Sequence, residues 1–188
     1  MIPFEGITMT DRHEAQAARG LGLELSAGAA AELAALIPQI RNGPRIAKSP
    51  ISAPDVLNEA HAYAQPSSFS RGMRLDLPGA AMLFLSGTAS IDEHGATVHE
   101  GDFAAQCLRT YRNLTRLLDG EGADWRDIVR TTCYLRDIER DYAVFNQLRT
   151  WFLAGVGCDP LPASTAIQAR LCRSELLVEI EAIAVLPR

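Results

Sequence analysis

The stretch 102–135, DFAAQCLRTYRNLTRLLDGEGADWRDIVRTTCYL, decides the fold, because one periodicity gives way to another inside it. Phe103, Cys107, Tyr111, Leu114 and Leu118 fall three or four residues apart, so a helix opening at Asp102 and stopping at Gly120 carries them on one stripe. That stripe reads as core. Beyond it, 128–135 sets Val129, Thr131, Cys133 and Leu135 on one side and Ile128, Arg130, Thr132 and Tyr134 on the other, as a strand with one buried face requires.

Working outward, 141–155 repeats the helical period through Phe145, Leu148 and Phe152 and stops in Gly155 and Gly157, after which 163–169 and 176–185 return to strand patterning. Upstream, 69–77 and 81–91 are apolar or alternating runs separated by Pro78-Gly79, which reads as a hairpin. The order strand, strand, helix, strand, helix, strand, strand predicts an α+β domain with two layers, both helices packed on one face of a mixed sheet. The other face stays apolar enough to need cover, which predicts an oligomer.

Residues 1–66 read as an N-terminal extension, and 67–188 as the domain. The extension is Ala-rich and punctuated by proline. A helix is expected from Ala27 to Gln39, with Ser26 as its N-cap and Leu33, Leu36, Ile37 and Ile40 on one face. Pro38, Pro44, Pro50 and Pro54 then break any long element, so 42–65 is expected as an irregular strap with one helical turn near 56–63, lying across the domain.

A chain of 188 residues with 47% hydrophobic content fills one core. A net charge of −5 and a pI near 5.4, with no run of Lys or Arg longer than two residues, oppose nucleic acid as a partner. Cys107, Cys133, Cys158 and Cys172 form no C-x-x-C pair and read as reduced, mostly buried thiols. His13, His61, His94 and His99 lack the spacing of a metal site, so no metal or cofactor is expected. The start 1–6 carries no cationic segment leading into an apolar stretch, and no apolar run approaches the roughly 20 residues that span a bilayer, so the expected location is cytoplasmic, with no membrane partner. A G-x-S-x-G elbow and a Gly-rich phosphate loop are both missing.

Three stretches carry a resemblance: Leu85-Ser86-Gly87-Thr88-Ala89-Ser90, Asp127 through Leu135, and Val178-Glu179-Ile180-Glu181-Ala182-Ile183-Ala184-Val185. In order and spacing they resemble the reactive-intermediate deaminase (Rid, or YjgF) superfamily, also described as endoribonuclease L-PSP, over roughly 69–187. The resemblance implies a chorismate-mutase-like fold, a homotrimer, and a small carboxylate-bearing metabolite bound in clefts between subunits. Residues 86–91, followed by His94, His99, Gly101-Asp102 and Gln106, look most like the chorismatase branch, and Pro66-Ser67-Ser68-Phe69-Ser70-Arg71 resembles the start of its first strand. Chorismatases carry a further Rid-like half ahead of this one, for which about 66 residues leave no room. Deaminating members carry an arginine after Pro-Ala in the penultimate strand, where it grips the substrate carboxylate. Here Pro162-Ala163 is followed by Ser164, at the same separation from Glu179.

Glu179 and Glu181 share one face of a strand, roughly 7 Å apart at Cβ. Glu179 matches the family residue that positions water or a proton and is the candidate general acid/base; an ion pair at an oligomer interface is the structural alternative for either carboxylate. If a carboxylate ligand binds, a cation has to replace the missing arginine, and Arg71, Arg74 and Arg170 are the candidates. Phe69 stands beside Arg71 where the family's cleft opens. Gly87, flanked by Ser86 and Thr88, either presents backbone N–H groups to an oxyanion or marks a strand bulge. Ser164 and Thr165 add hydroxyl donors. The resulting expectation is a hydrolase or deaminase of an imine, enamine or related metabolite, the alternatives being a chorismatase-like hydrolase of a cyclic carboxylate and a non-catalytic metabolite-binding trimer. Ribonuclease activity is opposed by the acidic balance and by the absence of a basic, aromatic-studded groove.

Overall fold

The computed structural model describes residues 26–36, 46–63 and 67–188. Two compact units divide between Arg45 and Ile46. In the first, helix α1 (Ala27–Leu36) is capped as expected, Ser26 Oγ accepting from Ala29 N at 3.2 Å. The apolar face expected of that helix, Leu33, Leu36, Ile37 and Ile40, lies outside the described side chains.

The second unit contains β1 (Lys48–Ile51), β2 (Gly72–Leu77), β3 (Ala80–Ala89), α2 (Phe103–Asp119), β4 (Ile128–Leu135), α3 (Ile138–Gly155), β5 (Ala163–Gln168) and β6 (Val178–Pro187). These strands form one mixed sheet in the order β1-β2-β3-β6-β4-β5, in which only β4 and β5 run parallel. Both helices pack on one face, α2 against β3 and β6 and α3 against β4, which is the expected α+β arrangement.

Each element follows from its local chemistry. Gly79 at φ 78° supplies the β2–β3 turn. Asp102 caps α2 by accepting from Ala105 N, and Cys107, Tyr111, Leu114 and Leu118 are buried along its inner stripe. Tyr111 stacks on Phe152 of α3 at 4.5 Å between ring centroids, and Trp125 meets both rings edge-on, at 5.5 and 4.8 Å. Asp137 caps α3 through Arg140 N, so the helix begins three residues before the expected Asp141.

Two local readings need correction. The irregular strap includes a strand: β1 pairs antiparallel with β2, with Pro50 opposite Met73. β1 is the edge of the sheet, where a residue without an N–H is tolerated. In β4 the register shifts between Ile128 and Arg130, which turns Ile128 into the core and leaves Val129 outside, against the expected alternation.

Candidate functional site

Glu179 and Glu181 lie on the face of β6 away from the helices, while Val178, Ile180 and Ala182 are buried beneath them. Opposite them β3 is bulged. Leu85 pairs with Ala182 and Thr88 with Ile180, so Ser86 and Gly87 together face the single residue Glu181. The bulge brings the Gly87 backbone against the Glu179 carboxyl: a Cβ at Gly87 would overlap Glu179 Oε1 and stand 2.9 Å from its Cδ. Bulge and close approach are therefore one feature.

A cleft of about 960 Å³ opens over this point, lined by Tyr63, Phe69, Arg71, Gly87, Arg173 and Glu179 among others. Burial pushes the Glu179 pKa above the usual carboxylate value, and the like charge of Glu181 pushes in the same direction. Arg71 is 2% exposed, and its guanidinium lies 5.2 Å from the Tyr63 ring centroid and 5.5 Å from that of Phe69. Its Nε donates to the Asn58 carbonyl at 2.9 Å, and its Nη2 to the Tyr63 hydroxyl. Desolvation lowers its pKa, Glu59 opposing this and Arg173 adding to it. Arg173 donates to the Gly95 carbonyl at 2.7 Å, and its guanidinium lies 5.4 Å from the Tyr63 ring centroid. Two cations in contact with aromatic rings thus share one cleft with a pair of carboxylates.

Of the residues singled out from the sequence, Phe69, Arg71, Gly87 and Glu179 meet in this cleft. Thr88, Ser164, Thr165 and Arg170 do not line it. The bulge turns Thr88 inward, 1% exposed, with its hydroxyl donating to the Ser86 carbonyl. Ser164 lies opposite Thr131 and contacts helix α3, while Thr165, opposite Thr132, and Arg170 are exposed along the β5 edge. Arg74 is held by Asp76 and Glu121. Sequence reading missed Tyr63 and Arg173, which reach the cleft from segments that no periodicity links to it.

The matching family model, described as endoribonuclease L-PSP, covers residues 60–186. The chain belongs to the endoribonuclease L-PSP family. This is the Rid, or YjgF, superfamily to which the three stretches pointed. Protein DfrA of Myxococcus xanthus is 32% identical over 117 residues, 62% of this chain and 84% of that protein. The 2-iminobutanoate/2-iminopropanoate deaminase of Rattus norvegicus is 28% identical over 130 residues, 69% of this chain and 88% of the relative. The structure of the YjgF gene product of E. coli matches with a TM-score of 0.59 and 25% identity, covering 73% of this chain and 98% of that one. Among the described residues no helix is long and apolar enough to cross a membrane, and no group of His, Cys, Asp and Glu suits a metal ion.

Proposed function

We propose that this member of the endoribonuclease L-PSP family hydrolyses an imine or enamine bearing a carboxylate, with Glu179 as the group that moves protons. The observation that carries this reading is the half-buried Glu179 carboxyl, raised in pKa and laid over the Gly87 backbone at the floor of the cleft. For a 2-imino acid, ionised Glu179 takes a proton from water as the oxygen adds to the C=N carbon. The protonated carboxyl returns that proton to nitrogen to give the carbinolamine, and the regenerated carboxylate then carries the carbinolamine hydroxyl proton to nitrogen as C=O forms and the C–N bond breaks, leaving the 2-oxo acid and ammonia. Relatives named as 2-iminobutanoate/2-iminopropanoate deaminases support the substrate class.

A homotrimer belongs to the same reading. The sheet face away from the helices presents Phe84 and Val185, each 37% exposed, with Ile167 at 43%, a surface that a second copy would cover. A cyclic carboxylate as substrate is the second reading, favoured by the size of the cleft and by Arg173, which lines it 5.4 Å from the Tyr63 ring centroid.

The test is to generate 2-imino acids with an amino-acid oxidase, trap them, and follow loss of the trapped product as the protein is added. Acceleration in the wild type that disappears in Glu179→Gln supports the deaminase. Equal rates with and without protein reject it.

A further inference from the structure

A second cavity, of about 520 Å³, lies between α3 and the edge formed by β4 and β5. Trp125, Tyr142, Phe145 and Leu153 give it an apolar and aromatic wall. Among the described residues Arg149 is the one cation that lines it and Asp159 the one carboxylate. Arg149 Nη1 donates to Ser164 Oγ at 3.0 Å, and Nη2 to Asn146 Oδ1 at 2.7 Å. Its guanidinium stands 5.2 Å from the Phe145 ring centroid. Among the described residues all of these partners are neutral and no ion pair joins Arg149 to Asp159, so the positive charge is oriented without a direct counter-charge.

A second, independent observation concerns a polar group in the same lining. Tyr111, also in the lining, is 3% exposed, yet among the described residues its hydroxyl has no hydrogen-bond partner. A buried hydroxyl is costly to leave unmatched, and this one lies within electrostatic reach of Arg149.

We propose that this cavity is a carboxylate subsite in which Arg149 binds the acid group of the ligand, Tyr111 donates to it, and the aromatic wall covers an apolar body. The proposal rests on the reading above only in that the ligand bears a carboxylate. It also gives Ser164 a role: a serine at this place accepts from a guanidinium that reaches across from α3, so the cation comes from the helix and not from the strand. Arg71 and Arg170 are poorer candidates, since the first is committed to Asn58 and Tyr63 and the second lines neither cavity.

The experiment is calorimetric titration with benzoate and with benzamide, which share a shape and differ in charge, on the wild type and on Arg149→Met, Arg149→Lys and Arg173→Met. Thermal melting establishes that each variant is folded. Benzoate is expected to bind the wild type and Arg173→Met alike, with benzamide weaker. Arg149→Met is expected to lose about tenfold or more in benzoate affinity, and Arg149→Lys less. If Arg149→Met does not fold, a crystal structure of the wild type with 4-bromobenzoate decides, with bromine expected in the cavity beside Tyr111. Undiminished benzoate binding in folded Arg149→Met, a loss confined to Arg173→Met, or bromine over Glu179 overturns the subsite. Failure of the deaminase reading looks different: no imine turnover, with Arg149-dependent benzoate binding intact.

Discussion

Glu179 and Gly87 make the closest approach in the candidate cleft, and each makes a separate claim. Burial and Glu181 raise the Glu179 pKa above the ordinary value of 4.5, so the folded chain holds this proton more tightly than the unfolded chain does. The resulting penalty on folding is absent below the ordinary value and complete once pH has risen through the raised one. Glu179→Gln should therefore melt higher than wild type at pH 7 and converge with it at acid pH, as calorimetry at both pH values would reveal. Glu181→Gln, by removing the like charge, should move the acidic limb of the kcat/KM profile to lower pH. Gly87→Ala should separate activity from stability. The added methyl meets the end of a flexible side chain, so about 1 kcal/mol of stability is expected to go, while displacement of the carboxyl costs about a hundredfold in turnover. Arg71→Met removes a buried cation from the Asn58 carbonyl and the Tyr63 hydroxyl, and denaturant titration should register a loss of about 2–4 kcal/mol.

Between elements, the side chain of Gln106 on α2 ties three segments together. Its Nε2 donates to the carbonyls of His99 and Glu175, and its Oε1 accepts from Leu177 N at the approach to β6. Gln106→Leu leaves those buried groups unmatched and should cost about 2–3 kcal/mol, with faster amide exchange at Leu177 by NMR. The major helices and strands were legible in the sequence because their apolar residues repeat at one period over many positions. β1 was not, since four residues containing a proline show no period, and their strand character comes from pairing with β2. At the site, Glu179 and Gly87 were legible because their strand parity and motif lie on the chain. Thr88 was misplaced because a bulge changes which side a residue faces without leaving a mark on composition. Arg149 was passed over because only the fold brings helix α3 against Ser164.

Across the whole described unit, the two candidate sites are divided between two sides of the sheet. Glu179 lies on the open face, whereas the Arg149 cavity includes Tyr111 and Ile180 from the helix side. In the trimer proposed above, a single ligand touching both residues would take Glu179 from one copy and Arg149 from another. Mixing Glu179→Gln with Arg149→Met subunits should restore about a quarter of wild-type turnover, since random assembly pairs the two intact residues at one interface in four. If the proposed trimer forms through the open face, Phe84→Glu, placing charge there, should lower the mass measured by light scattering to that of a monomer. The cysteines offer a further handle. Three are buried, and the fourth, Cys172, is exposed on the wall of the cleft beside Arg173. The chain thus carries its own reporter: a thiol-reactive dye should label it at a single place, and the labelling rate should fall as the cleft fills, giving occupancy without any turnover assay.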